Sequence, residues 1–227
     1  MSVLQLRMER LVLGLAHRLT RRTRQGRLAL EQVAGCDLVI LPDVMNPKNF
    51  RSGATFARAV RKDLVAPSSF VLDMGAGSGI MSIVAAKQGA QVVAVDINPA
   101  AVRCTRINAC LNDVEDRIDA RQGDLFQAVQ DQRFDLILFN PPFFRGKPLA
   151  GFDQSWRSED VVERFADGLA HHLKPQGAAL MVLSTDGDTD SFLQAFQERD
   201  YGRTVVARRR LLAETFTIYR FEPRCEA

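Results

Sequence analysis

The residues best suited to chemistry stand together as Asn140, Pro141, Pro142 and Phe143. An asparagine side-chain oxygen and the carbonyl oxygen of the next proline can each accept one hydrogen of a planar amino group. Such bonds orient the nitrogen and disperse the positive charge that develops when its delocalised lone pair attacks an electrophile. The ring of Phe143 can stack on the planar group. The tetrapeptide therefore indicates chemistry on an amide or aryl amine nitrogen.

A glycine-rich segment and a later acid predict a nucleoside site. Gly75, Gly77 and Gly79 follow an apolar run and let the backbone turn sharply beside a ligand. Their GxGxG spacing differs from the GxGxxG of the dinucleotide fingerprint. Asp96 ends the next apolar run, where a carboxylate can accept both hydroxyl hydrogens of a ribose. The alternative is that Asp96 caps the helix that follows.

These residues need a sheet that brings strand ends together. Apolar runs alternate with helical segments and predict strands at 70–73, 91–96, 118–122, 134–139 and 178–184. Runs that are apolar on both faces are typical of parallel strands covered by helices, and ligands bind at their carboxyl ends. Alternation over 203–207 and 215–222 predicts a terminal antiparallel hairpin. We therefore expect an α/β fold: a doubly wound, mostly parallel, Rossmann-like sheet of seven strands.

The first forty residues differ from the rest. Apolar residues recur at helical spacing over 3–35, which predicts one or two amphipathic helices before a short strand at 38–41. The first thirty residues hold seven arginines and one acid, so they could attract a phosphate backbone or an acidic protein surface. A solvated helix face is the alternative. We predict a basic helical extension over 1–40 and one domain over 41–227.

The order strand, GxGxG, strand-end acid and NPPF resembles class I S-adenosylmethionine-dependent methyltransferases. The NPP-aromatic motif is similar to that of amino-methyltransferases, which include HemK-like glutamine methyltransferases and enzymes that methylate base amines of DNA or RNA. The resemblance covers roughly 40–222. It implies the class I methyltransferase fold, S-adenosyl-L-methionine as cofactor, and transfer of a methyl group to nitrogen.

The resemblance also assigns site residues. The catalytic residues would be Asn140, Pro141, Pro142 and Phe143. The cofactor would be bound by Asp73, Gly75, Ala76, Gly77, Gly79, Asp96, Ile97, Asp124, Leu125 and Asn140. Within this set Ile97 would pack on the adenine ring, and Asp124 and Leu125 would meet its edge, unless Asp124 caps a helix. The segment 44–56 resembles the one that closes over the cofactor in HemK-like proteins; Phe50, Arg51 and Thr55 could equally serve as loop and cap residues.

The acceptor is left open by the sequence. The first hypothesis is a glutamine-type amide of a protein; a base amine of RNA or DNA and a small molecule are the others. Arg145 and Lys147 could contact phosphates, while Trp156 could stack on a base or pack its loop. A cofactor-binding scaffold would not need all three motifs. A dehydrogenase would need a proton-relay residue, for which the sequence offers no candidate.

Bulk properties narrow the class further. No apolar run approaches the roughly 18 to 20 residues that span a bilayer, and the four cysteines form no CxxC pair. His171 and His172 are adjacent, so on a helix they cannot bind one metal together. We therefore expect a cytoplasmic protein with no membrane partner and no metal.

Overall fold

The computed structural model describes residues 26–60, 64–147, 157–211 and 214–224. Its main sheet has seven strands. They are β3 (Phe70–Met74), β4 (Gln91–Asp96), β5 (Ile118–Gln122), β6 (Phe134–Phe139), β9 (Leu173–Ser184), β10 (Tyr201–Leu211) and β11 (Glu214–Pro223). Among the described residues there are also four strands outside it: β1 (Ala29–Val33), β2 (Cys36–Ile40), β7 (Phe144–Arg145) and β8 (Arg157–Ser158).

The main sheet runs β10-β11-β9-β6-β3-β4-β5. The five strands from β9 to β5 are parallel, whereas β11 is antiparallel to both β9 and β10. Seven strands, a parallel centre and a terminal hairpin confirm the predicted sheet. The chain leaves β3 toward β4 and β5 and later returns to β6 on the other side of β3, so strand order reverses there. A crevice therefore opens between the carboxyl ends of β3 and β6.

Helices cover both faces of this sheet. They are α1 (Arg51–Val60), α2 (Ile80–Lys87), α3 (Pro99–Leu111), α4 (Val161–His172) and α5 (Thr189–Gln197). Short 3-10 helices occupy Glu115–Arg117 and Leu125–Val129. One apolar core lies between the sheet and α1, α2 and α3, and a second lies between the sheet and α4 and α5. Burial on both faces explains why the central strands are almost continuously apolar.

The N-terminal part departs from the sequence prediction. Helix was expected over 3–35, but Ala29–Val33 and Cys36–Ile40 pair as an antiparallel hairpin. The helix prediction is therefore wrong over 29–35, whereas β2 confirms the strand predicted at 38–41. Alternating burial in β2 indicates the reason: Cys36, Leu38 and Ile40 enter the core shared with α2 and α3. Residues 1–25 lie outside the described residues. The boundary at 40 stays a prediction.

Other differences concern the ends of elements. Helix α1 begins at Arg51, so both Arg51 and Thr55 lie within a helix. Strands β10 and β11 are longer than predicted, and the short pair β7–β8 was not predicted. Within the described part of the chain, no helix combines the length and apolar character that crossing a membrane requires.

Candidate active site

Strand register gathers the motifs at one edge of the sheet. Met74 pairs with Phe139 and also with Val95, so the residues that follow these three strands are neighbours. Asp96 in turn pairs with Gln122 of β5. The glycine loop, Asp96, the segment after β5 and Asn140 therefore line a continuous row above the crevice. The resemblance to class I methyltransferases implied the same arrangement.

The glycine loop is shaped by left-handed backbone. Gly75, Gly77 and Gly79 have φ values of 67°, 57° and 78°, which side chains rarely tolerate. Two loop N–H groups, those of Gly75 and Ala76, donate to the carbonyl of Val95 at 2.8 and 3.0 Å. The loop is thereby fixed to β4. Gly75 is exposed and Gly77 partly exposed, so the loop presents backbone without Cβ atoms at these two positions, whereas Gly79 is buried.

Asp96 is held in place and still has free acceptor capacity. Its Oδ2 accepts from the Gly77 N–H at 2.8 Å and its Oδ1 accepts from the Asn98 N–H at 2.8 Å. Burial raises the pKa of Asp96, opposed by these backbone bonds. A carboxylate offers about four acceptor positions, so each oxygen keeps one for a ribose hydroxyl. The cap of α3 is Asn98, whose side chain accepts from Ala100 at 2.9 Å, so the capping alternative for Asp96 is wrong.

Asp73 lies beneath the same loop. Its Oδ2 accepts from both the N–H and the hydroxyl of Ser82, at 2.9 and 2.5 Å. Burial raises the pKa of Asp73 to about 7, against the two Ser82 bonds that lower it. A carboxyl group this close to neutral pKa gains its charge readily when a cation approaches.

The segment after β5 forms the far end of the row. Ile97 is 54% exposed, which leaves an apolar side chain available to cover a flat ring. Leu125 has φ +48°, a strained conformation for a branched residue and one that concentrates at functional sites. Asp124 occupies the N-cap position of the 3-10 helix Leu125–Val129, as the capping alternative predicted, but its carboxylate makes no capping bond and pairs with Arg164 of α4. Contact of Asp124 and Leu125 with adenine stays a prediction.

Asn140 presents an unused acceptor. Its side-chain oxygen is buried and accepts no hydrogen bond from any described residue. Leaving such an atom unpaired costs about 1 to 3 kcal/mol. Pro141, which is buried, and Pro142 end the strand, since neither has an N–H to continue the ladder. An acceptor at the crevice, fixed by a rigid turn, is what recognition of an N–H group requires.

Phe143 is fastened by residues that the sequence did not single out. Its carbonyl accepts from the Asp188 N–H at 3.0 Å, and Gly187 lies against it. Arg145, which could contact phosphate according to the sequence, pairs with Asp188 and Glu163; contact with phosphate stays a prediction. The only sequence signal for Asp188 was a Gly-Asp pair between a strand and a helix.

The segment before α1 lies beside the row. Asn98 donates from its side chain to the carbonyl of Asp43 at 2.8 Å. The hydroxyl of Thr55 is buried and has no partner among the described residues. Roles for Phe50, Arg51 and Thr55 stay predictions, and Trp156 lies outside the described residues. Groups of acids, cysteines and histidines able to bind a metal are absent from the part of the chain that the structure describes.

The chain is similar to a known family of enzymes. The sequence model of the methyltransferase small domain family matches residues 44–209, more than half of the chain. The chain belongs to this family. It is a class I S-adenosylmethionine-dependent methyltransferase, and the row of loops is its candidate active site.

Two curated relatives of this methyltransferase are similar to most of the chain. A provisionally named protein N5-glutamine methyltransferase of Methanocaldococcus jannaschii is 34% identical over 68% of this chain and 79% of the relative. A release factor glutamine methyltransferase of Geobacter sulfurreducens is 30% identical over 82% of this chain and 69% of the relative.

Solved structures agree with the fold. The 16S rRNA N2 G1207 methyltransferase of T. thermophilus, solved with AdoMet and guanosine, superposes with a TM-score of 0.65. It is 22% identical, and the match covers 87% of this chain and 50% of that one. At this identity the likeness shows the class I methyltransferase fold alone.

Proposed function

We propose that this methyltransferase transfers a methyl group to a glutamine-type amide nitrogen of a protein. The observation that carries the proposal is the buried, unpaired side-chain oxygen of Asn140 at the crevice. The names of the relatives from M. jannaschii and G. sulfurreducens, both glutamine methyltransferases, support the same acceptor.

The residues of the chain contribute positioning and electrostatics. Asn140 Oδ1 and the Pro141 carbonyl each accept one hydrogen of the amide –NH2 and hold its lone pair toward the methyl group. S-adenosylmethionine supplies that methyl on a sulfonium, so the C–S electron pair leaves with sulfur as the new N–C bond forms. The two acceptor oxygens stabilise the positive charge that grows on nitrogen. The nitrogen then loses one proton to solvent.

On the cofactor side, the residues fit S-adenosylmethionine part by part. The two free acceptor positions of Asp96 match the two ribose hydroxyls. Ile97 and Leu125 would enclose the adenine, with Asp124 at its edge. The glycine loop and Asp73 would hold the methionine end, where the ionised Asp73 offers a negative partner for its ammonium group.

The Asn140→Ala variant tests the catalytic assignment. We expect it to lose turnover by about two orders of magnitude or more, since its bond acts mainly in the transition state. Affinity for S-adenosylmethionine should stay within about 3-fold, because the cofactor keeps its other contacts. Turnover and calorimetric titration measure the two. Equal loss of both would place Asn140 in cofactor binding instead.

The acceptor is tested with tritiated S-adenosylmethionine and a lysate of cells that lack the enzyme. We expect protease-sensitive label with the wild-type enzyme and little with Asn140→Ala. Mass spectrometry of the labelled protein should then locate N-methylglutamine. Label on another residue, or label only in small molecules, would contradict the proposal.

A base amine of RNA is the second candidate acceptor. Arg208 and Arg209 are exposed near the end of β10 that lies at the active-site edge of the sheet, where they could meet phosphates. The arginine-rich segment 1–25 could add to this attraction. In the labelling experiment, RNase-sensitive counts would select this acceptor over the amide.

A further inference from the structure

Asp188 is bound in two ways to the loop that follows β6 (140–145), the catalytic loop. Its main-chain N–H donates to the carbonyl of Phe143 at 3.0 Å, and its carboxylate accepts from Arg145 Nε at 2.8 Å. The preceding Gly187 comes so close that a Cβ there would lie 2.8 Å from both the Cβ and the carbonyl oxygen of Phe143. The loop that follows β9 therefore rests directly on the loop that follows β6.

The contact of Asp188 with Arg145 takes the place of a helix-capping bond. Asp188 is the N-cap residue of α5, a position where an aspartate usually accepts a helix N–H and so stabilises the helix. Its side chain makes no capping bond. The carboxylate is directed to Arg145 instead, so a local stabilising rule is broken in favour of a contact with the catalytic loop. Such exceptions are expected at functional sites.

Arg145 is enclosed by two helices. Its guanidinium pairs with Glu163 of α4 and lies 5.4 Å from the ring centre of Phe192 of α5. A further N–H donates to the carbonyl of Glu159 at 3.2 Å, just beyond β8. The hydrogen bond with Glu163 and the two nearby carboxylates raise the pKa of Arg145, so it stays charged. A guanidinium with partners on three sides has little rotational freedom.

We propose that Arg145 and Asp188 are positioning residues for methyl transfer. They fix the main chain on the far side of Phe143, and thereby the Pro141 carbonyl and the Asn140 side chain that hold the acceptor nitrogen. The inference rests on the proposed role of Asn140 and Pro141. Neither Arg145 nor Asp188 touches a reacting atom. A displacement of about 1 Å at such a distance can cost about 100-fold in rate.

The matched variants are Asp188→Asn and Asp167→Asn. The first keeps the size and the main-chain bond of Asp188 but removes the charge that faces Arg145. The second breaks a comparable ion pair, Asp167 with Arg199 at 2.5 Å, which joins α4 to the residues after α5 and, among the described residues, does not touch the catalytic loop. Both pairs are partly exposed, so each contributes little to stability.

The measurement is tritium transfer from S-adenosylmethionine to the lysate fraction that the wild-type enzyme labels, over a range of fraction concentrations. For Asp188→Asn we expect kcat to fall about 10-fold or more, with apparent KM within about 3-fold and cofactor affinity within about 2-fold. Asp167→Asn should change each quantity by less than about 2-fold, and both variants should melt within a few degrees of one another. Equal losses in the two variants, or a change confined to KM, would show that the pair is merely structural.

A second variant approaches the same bond from its other side. Arg145→Gln should lose at least as much kcat as Asp188→Asn, because it also removes the ion pair with Glu163. The double variant should lose little more than Arg145→Gln alone, because the ion pair with Asp188 is already gone. Losses that multiply would overturn the proposal.

Amide hydrogen exchange separates this inference from the proposed acceptor. The Gly146 N–H, next to Arg145, donates to the carbonyl of Ser158. Its exchange rate should rise about 10-fold in Asp188→Asn but not in Asp167→Asn. An unchanged exchange rate would refute the positioning role of Arg145 and Asp188, whatever the methyl acceptor is. A raised exchange rate in an enzyme that labels only RNA would support that positioning role and reject the amide acceptor.

Discussion

At the scale of single residues, Asp73 links protonation to the folded state. Burial raises its pKa to about 7, from about 4 in an exposed chain. A raised carboxyl pKa means that the folded protein retains the proton, so the stabilising contribution is fully present below pH 4. It is lost as the pH rises from about 4 to 7. Above that pH, the ionised carboxylate of Asp73 can pair with a cationic group of a ligand.

We predict that S-adenosylmethionine binds more weakly as the pH falls below 7, by up to about 10-fold per pH unit, because Asp73 must lose its proton to meet the ammonium group. Calorimetric titrations between pH 5.5 and 8.5 would measure this dependence. Asp73→Asn is the control, since both Ser82 bonds go to one carboxylate oxygen and an amide oxygen can accept them. An equally steep pH dependence in the Asn variant would assign the proton to another group.

At the scale of elements, Gly79 is where the glycine loop, α2 and α3 meet. Its φ is +78°, and a Cβ there would lie 2.9 Å from the Thr105 Cγ2 and 3.0 Å from the Thr105 Cα. Thr105 is fully buried on α3. The glycine thus serves two purposes, a left-handed turn and a close approach of two helices.

We predict that Gly79→Ala costs about 1 to 2 kcal/mol for the left-handed backbone. Crowding against Thr105 should add about 1 to 3 kcal/mol. Gly26→Ala is a matched control, with the same φ of +78° and no described atom within 4 Å of the added Cβ. Urea unfolding would compare them. If both variants lost the same free energy, the packing contribution would be absent.

At the scale of the whole molecule, one side chain joins the N-terminal hairpin to the active site. Asn108 of α3 accepts from the Val39 N–H at 2.7 Å and donates to the carbonyls of Val39 and Ser78, each at 2.9 Å. Asn108 is fully buried. Ser78 belongs to the glycine loop, so the hairpin and the cofactor site share one polar connection.

We predict that Asn108→Ala lowers the free energy of unfolding by about 2 to 5 kcal/mol, since it leaves buried backbone groups unpaired. The loss should appear in one cooperative transition and should be accompanied by weaker cofactor binding. Gln32→Ala removes an exposed hydrogen bond within the hairpin and should change stability by less than about 0.5 kcal/mol. An early partial transition in calorimetry would mean that the hairpin folds independently.

The strands of the main sheet and the placement of the motifs along one edge of it could be predicted from the sequence. Strands buried on both faces are almost continuously apolar, and the carboxyl ends of parallel strands must share one edge. Gly75, Asp96 and Asn140 could therefore be placed together from their positions after three such runs. The terminal hairpin was equally visible, because its alternation has a period of two.

Contacts between residues far apart in the sequence became known only from the folded structure. The strand at Ala29–Val33 was expected to be helix, because it has only five residues and is stabilised by pairing with the strand that was predicted at 38–41. That Asn98 and not Asp96 caps α3, and that the Asp124 carboxylate pairs with Arg164 and makes no capping bond, depends on contacts in the folded chain. Arg145 meets Asp188 across 43 positions of sequence. Local periodicity carries no information about such contacts, since packing of the complete chain creates them.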